Sequence, residues 1–148
     1  MIYPLGMGRL LIILSLFFAG VALAAPKSVA VLPLKNAAKL SQAEVDYLTD
    51  LVRKGAMRTL PRAQFTVMTE ENMLAMLPPG KTLADCIAKA SCAVEIGQEM
   101  KAHYVVTGQV LLLGRSLRLS VKVHVTRTKA FLEQINAKAG QIEDFETA

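Results

Sequence analysis

Few residues in this chain have the types and spacing that chemistry requires. Cys86 and Cys92 stand in a C-x5-C arrangement. That spacing is too open for a redox C-x-x-C pair, and a zinc site would need a second pair of ligands. The two histidines, His103 and His124, sit in no recognisable motif. A nucleophile needs a base and a group that orients the base. The adjacent carboxylates are Glu70-Glu71 and Glu143-Asp144. Neighbours along a helix point in different directions, so neither makes an acid–base pair. No P-loop, G-x-G-x-x-G, H-E-x-x-H or G-x-S-x-G pattern occurs. The sequence therefore reads as non-enzymatic, with no metal and no cofactor expected.

The cysteines acquire meaning from the start of the chain. Arg9 is the one charged residue before Lys27, Leu10 to Val21 is apolar, and Ala22-Leu23-Ala24 offers small residues at −3 and −1. That is the form of a secretory leader. Cleavage after Ala24 is expected, giving a leader over 1–24 and a single α/β domain over 25–148. An uncleaved anchor is the alternative, since Leu10 to Ala25 falls not far short of a membrane span. No cysteine follows the apolar run to accept a lipid. The expected location is periplasmic or secreted, with no stable membrane insertion after cleavage. In an oxidising compartment Cys86 and Cys92 are expected to form a structural disulfide; two separate buried thiols are the alternative. So short a closed loop stabilises by only about 2–2.5 kcal/mol on the chain-entropy argument.

The net charge is +5, the basic residues are scattered, and only 5% of residues are aromatic. Without a basic stripe or stacking residues, nucleic acid is not expected as a partner.

The elements that would position any site are legible from periodicity. From Leu117 to Thr126 the chain alternates strictly: leucines and valines on one side, and Arg118, Ser120, Lys122, His124 and Thr126 on the other. Period two places one row on a core and the other in water. Tyr104 to Leu113 is less polar, as for a central strand. Gly114-Arg115-Ser116 supplies the turn of a long hairpin. Phe131 to Ala139 is a weaker third strand. Upstream, Val29 to Leu34 reads as a buried strand weakened at Pro33, and Lys35 to Lys39 as a loop.

Ser41 and Glu44 form a capping box with a Leu40–Val45 staple, opening a helix that Pro61 ends. Its acidic start and the basic end at Arg53, Lys54 and Arg58 suit the helix dipole. Gly55 within it suggests close contact with the sheet. Phe65 to Met68 is a second strand. Thr69 caps a helix over Glu70 to Leu77, with Met73, Leu74 and Leu77 inward. Ser91 caps another over Cys92 to Lys101. Gln141 to Ala148 reads as the first turns of a helix, frayed or cut short. Together these predict an α/β (α+β) two-layer sandwich. Its mixed sheet ends in an antiparallel hairpin or meander and carries helices on one face.

The runs Ser28-Val29-Ala30-Val31-Leu32-Pro33-Leu34, Phe65-Thr66-Val67-Met68-Thr69 and Ala102-His103-Tyr104-Val105-Val106-Thr107-Gly108-Gln109-Val110, the last leading into a long hairpin, resemble the TolB N-terminal-like superfamily, which includes curli-secretion lipoproteins. The resemblance spans roughly Lys27 to Thr128. It implies a bacterial envelope protein that works by binding a protein partner, as an adaptor. The edge strand Phe131 to Ala139 and the unfinished helix at Gln141 to Ala148 could instead pair with another chain, as in a structural subunit of an envelope assembly. It carries no functional residues with it. The residues themselves place the candidate partner face on Arg118, Lys122 and His124 of the open side of the hairpin.

Overall fold

The computed structural model describes residues 24–87 and 89–146, so the expected leader, apart from Ala24, lies outside the described residues. In chain order the elements are β1 (Lys27–Val31), β2 (Lys35–Ala37), α1 (Gln42–Thr59), β3 (Phe65–Val67), α2 (Glu70–Met76), α3 (Ala90–Glu99), β4 (Tyr104–Leu113), β5 (Ser116–Val125) and β6 (Ala130–Ala139). Short 3-10 turns occupy Leu83–Cys86 and Ile142–Glu146. The strands make one open mixed sheet in the order β3-β1-β4-β5-β6, with β2 also paired to β4. β1 runs parallel to β3 and β4, whereas β4, β5 and β6 form the expected antiparallel meander.

The hairpin forms because its alternation and its turn agree. β4 and β5 pair without a break from Tyr104↔Val125 to Leu113↔Ser116. Gly114 takes a positive φ of 62° at the tip, where a two-residue turn must match the strand twist. On one side of the meander Val110, Leu117 and Leu119 pack with Val45 and Leu48 of α1. Helical cover of the meander is thus on one side. At the parallel end β1 is covered twice. Val29 and Val31 cluster with Val52 and Leu60, while Ala30 and Leu32 cluster with Met73, Ala93 and Ile96. The cause is topological: from β1 to β3 and from β3 to β4 the chain moves in opposite directions across the sheet. Right-handed crossovers then send α1 to one face and α2 with α3 to the other.

The capping box forms as expected. Glu44 N–H donates to Ser41 Oγ at 3.3 Å and Ser41 N–H donates to the Glu44 carboxylate at 2.7 Å. Pro33 has no N–H to give, and the strand breaks around it. The freed Leu34 N–H donates to Thr49 Oγ1 of α1 at 3.2 Å, and Thr49 in turn donates to Val45 O at 2.8 Å. Pairing then resumes at Lys35–Ala37, where a loop was expected.

Other local expectations are corrected. Leu74 points outward, 52% exposed, because the short α2 buries only its Met73 row. α3 starts at Ala90 with Lys89 at its N-cap, so Ser91 lies inside the helix. The C-terminal segment is a docked 3-10 turn: Phe145 is buried against the α1 side, and Asp144 accepts from the N–H groups of Gly140 and Gln141. Gly55 faces open space, contrary to the expected close contact, whereas Gly108 does not. A Cβ at Gly108 would stand 2.5 Å from Leu34 Cδ2 and 2.9 Å from Ser120 O.

These two glycines give a paired prediction. Gly55→Ala removes a helix-interior glycine with nothing in its way and should raise stability by about 0.5–1 kcal/mol. Gly108→Ala should lower it by about 1–3 kcal/mol through overpacking against backbone. Urea denaturation of both variants checks the pair; a Gly108→Ala protein as stable as the parent would contradict the sheet contacts described.

Candidate functional site

The open side of the meander is built by register. Lys35 of β2 lies beside Gln109 of β4, and Gln109 beside Ser120 of β5. Ser120 lies beside Asn136 of β6. One step along, Thr107, Lys122 and Gln134 align, and one step the other way Leu111, Arg118 and Lys138. Period two puts these residues on the side opposite Val110, Leu117 and Leu119, where α1 packs. Arg118 and Lys122 are exposed there, as expected. Among the described residues, ion pairs engage only Arg53 and Lys81, so these cations have no carboxylate within bridging distance.

His124 does not join them. It was expected on the exposed row with Arg118 and Lys122, and instead it is buried, 7% exposed. A bulge between Val123 and His124 pairs His124 with Phe131, whose ring meets the imidazole edge-on at 5.7 Å. Beyond it Thr126 is also buried, beneath α3: a Cβ on Gly97 would come within 2.9 Å of Thr126 Cγ2. Thr126 Oγ1 donates to backbone carbonyls at Ala102 and His103, and Gln98 Nε2 donates to Thr126 O at 2.7 Å. Alternation assigned these residues to the right side of the sheet but could not reveal that α3 covers its near end. Burial, and secondarily the charge of Lys122, pushes the His124 pKa below its ordinary value. No described group reaches its Nε2. The candidate partner face therefore reduces to Arg118 and Lys122 with their polar neighbours.

The disulfide is formed between Cys86 and Cys92, with Cα atoms 5.1 Å apart. It ties the 3-10 turn to the first turn of α3, and Cys86 itself is buried in the core with Met73 and Ile96. The turn carried by this bridge stands over the open face. Between them lies a cleft of about 170 Å³, whose polar lining comes from Lys35, Lys89, Thr107, Gln109, Ser120 and Lys122. Sequence reasoning found Lys122 but missed Lys35 and Lys89, which three-strand register and the disulfide bring to it from distant parts of the chain.

Two further groups bear on chemistry. Ser28 Oγ lies 3.0 Å from His103 Nδ1, a contact that separation by 75 residues hid in the sequence. The same nitrogen lies 3.1 Å from the Ser28 N–H, and Ser28 Oγ also reaches Lys101 O at 3.1 Å. The pair thus pins the start of β1 to the start of β4, and no described carboxylate orients the ring. Arg53, counted in the exposed basic end of α1, is buried instead, paired with Asp50 and 3.8 Å from Glu70. Among the described residues no cluster of His, Cys, Asp and Glu could hold a metal ion, and no helix is long and apolar enough to cross a membrane.

No protein-family model matches the sequence, and no curated protein matches it. Solved structures do. The LpoB C-terminal domain from Salmonella enterica superposes with a TM-score of 0.61 at 17% identity, covering 82% of this chain and 87% of that one. Lipoprotein GNA1162 from Neisseria meningitidis gives 0.60 at 14% identity, over 78% of this chain and 81% of the other. The PelC dodecamer from Paraburkholderia phytofirmans gives 0.52 at 12% identity, over 82% and 81%. The likeness is one of fold: this chain shares the α/β fold of these three proteins.

The buried imidazole gives a pH prediction. A histidine whose folded pKa is depressed contributes fully above its unfolded pKa of about 6.5, and that contribution is lost as pH falls toward the folded value. The melting temperature should therefore drop between pH 7.5 and 5.5, and His124→Phe should flatten that drop. An identical slope in both proteins would show that His124 is not held neutral by the fold.

Proposed function

We propose that this protein is a non-catalytic protein-interaction module of the bacterial cell envelope, acting in the periplasm as an adaptor. The observation that carries the reading is the open face of the meander, a polar surface with the unpaired cations Arg118 and Lys122 on a rigid two-sided scaffold. An acidic surface on a partner would be steered to it, with an association rate that falls as salt rises. The shared fold of LpoB and lipoprotein GNA1162 supports an envelope setting. The sequence resemblance to TolB N-terminal-like proteins supports the narrower placement. The described chemistry supports binding over catalysis, since Cys86 and Cys92 consume each other and His103 is spent on joining two strands.

A second reading, a structural subunit of an envelope assembly, is favoured by one specific observation. β6 is an edge strand of ten residues, and Phe131, Leu132 and Ile135 on it are all more than half exposed. Such an edge is open to pairing with another chain. PelC, which shares the fold, is a dodecamer. Light scattering separates the readings, a monomer at high concentration favouring the adaptor.

The adaptor reading is tested by placing a photo-crosslinking amino acid at Ser120 in cells. A discrete adduct with an envelope protein is expected, and Arg118→Glu with Lys122→Glu should abolish it. Both changes are at exposed positions, so each should move folding stability by less than about 0.5 kcal/mol. An adduct that survives the double reversal would place the docking surface elsewhere.

A further inference from the structure

We propose that the cleft beneath the disulfide-clamped turn is an oxyanion-binding site, taking a carboxylate or phosphoryl group of a small ligand. Three lysines from separate parts of the chain, Lys35 on β2, Lys89 before α3 and Lys122 on β5, line one cavity of about 170 Å³. No carboxylate lines it with them, and none forms an ion pair with any of the three among the described residues. Like charges gathered in one concavity repel each other and raise the local concentration of anions. A bound oxyanion supplies the missing counter-charge. Thr107, Ser120 and Gln109 line it with them, residue types whose hydroxyl and amide groups can donate to the remaining oxyanion lone pairs.

The cleft lies on the face of the sheet, over the middle of β4 and β5 and beside β2, with the Cys86–Ala90 turn as its other wall. One wall of the cleft carries the Cys86–Cys92 bridge. The volume suits one anionic group with a few flanking atoms, not a polymer. The cleft shares Lys122 and Ser120 with the proposed docking face, whereas Arg118 does not line it.

The test is an amide NMR titration of the purified protein, first with inorganic phosphate and separately with succinate, at constant ionic strength. Saturable shifts are expected at Thr107, Gly108, Gln109 and Ser120, with a Kd on the order of millimolar. Lys35→Gln with Lys89→Gln should weaken binding by about tenfold or more through loss of charge-assisted contacts. Lys54→Gln with Arg58→Gln, on α1 across the sheet from the cleft, should not. Tighter saturation by phosphate assigns a phosphoryl ligand, and tighter saturation by succinate a carboxylate. Lys122 is left intact, so failure here is separable from failure of the docking reading. Absence of saturation with both anions, or binding that survives the Lys35 and Lys89 changes, overturns the site.

Discussion

The structure depends on β4, which alone carries parallel partners on one edge and an antiparallel partner on the other. Its adjacent residues Val105 and Val106 point to opposite sides and are both buried, so both sides of the sheet must be covered at that point. α3 covers one side and α1 the other. Gly97 lets α3 approach so closely that a Cβ there would meet Val105 Cβ at 3.2 Å. Farther along β4 the cover becomes one-sided. Gly108 admits Leu34 on the α1 side, while Thr107 and Gln109 on the other line an open cleft. The boundary between buried His124 and exposed Lys122 on β5 is where α3 and Phe131 stop shielding the sheet.

Charge follows the same division. On α1 the acidic Glu44 closes its own cap, and buried Arg53 is matched by Asp50 and by Glu70 at the start of α2. Lys81 is matched by Glu99. On the open side Lys35, Lys89, Arg118 and Lys122 have no such matches among the described residues. Cations without partners add little to folding. Their concentration on the one uncovered face makes that face the natural contact for anions.

Much of this architecture was legible where local chemistry and long-range contacts agree. Ser41 with Glu44, Gly114 at the hairpin tip, the alternation of β5 and the pairing of Cys86 with Cys92 each have a local cause. The misses share a different origin. Alternation gives the side of the sheet on which His124 lies but not what covers that side. Helical period puts Leu74 near the inward row, but α2 is too short to bury a broad stripe. Gly55 and Gly108 look alike as letters, and only the tertiary neighbours separate an idle glycine from an obligatory one. The cleft was invisible because its lysines lie at 35, 89 and 122, joined by strand register and a disulfide, not by spacing.

The uncovered side of the meander is, on this reading, the side that meets other molecules. Lysine-reactive footprinting read by mass spectrometry tests this directly, comparing intact cells with the purified protein. Lys35, Lys89 and Lys122 should react more slowly in cells, while exposed Lys54 on α1 reacts equally in both. Protection of Lys54 with unchanged reactivity at Lys35, Lys89 and Lys122 would contradict it.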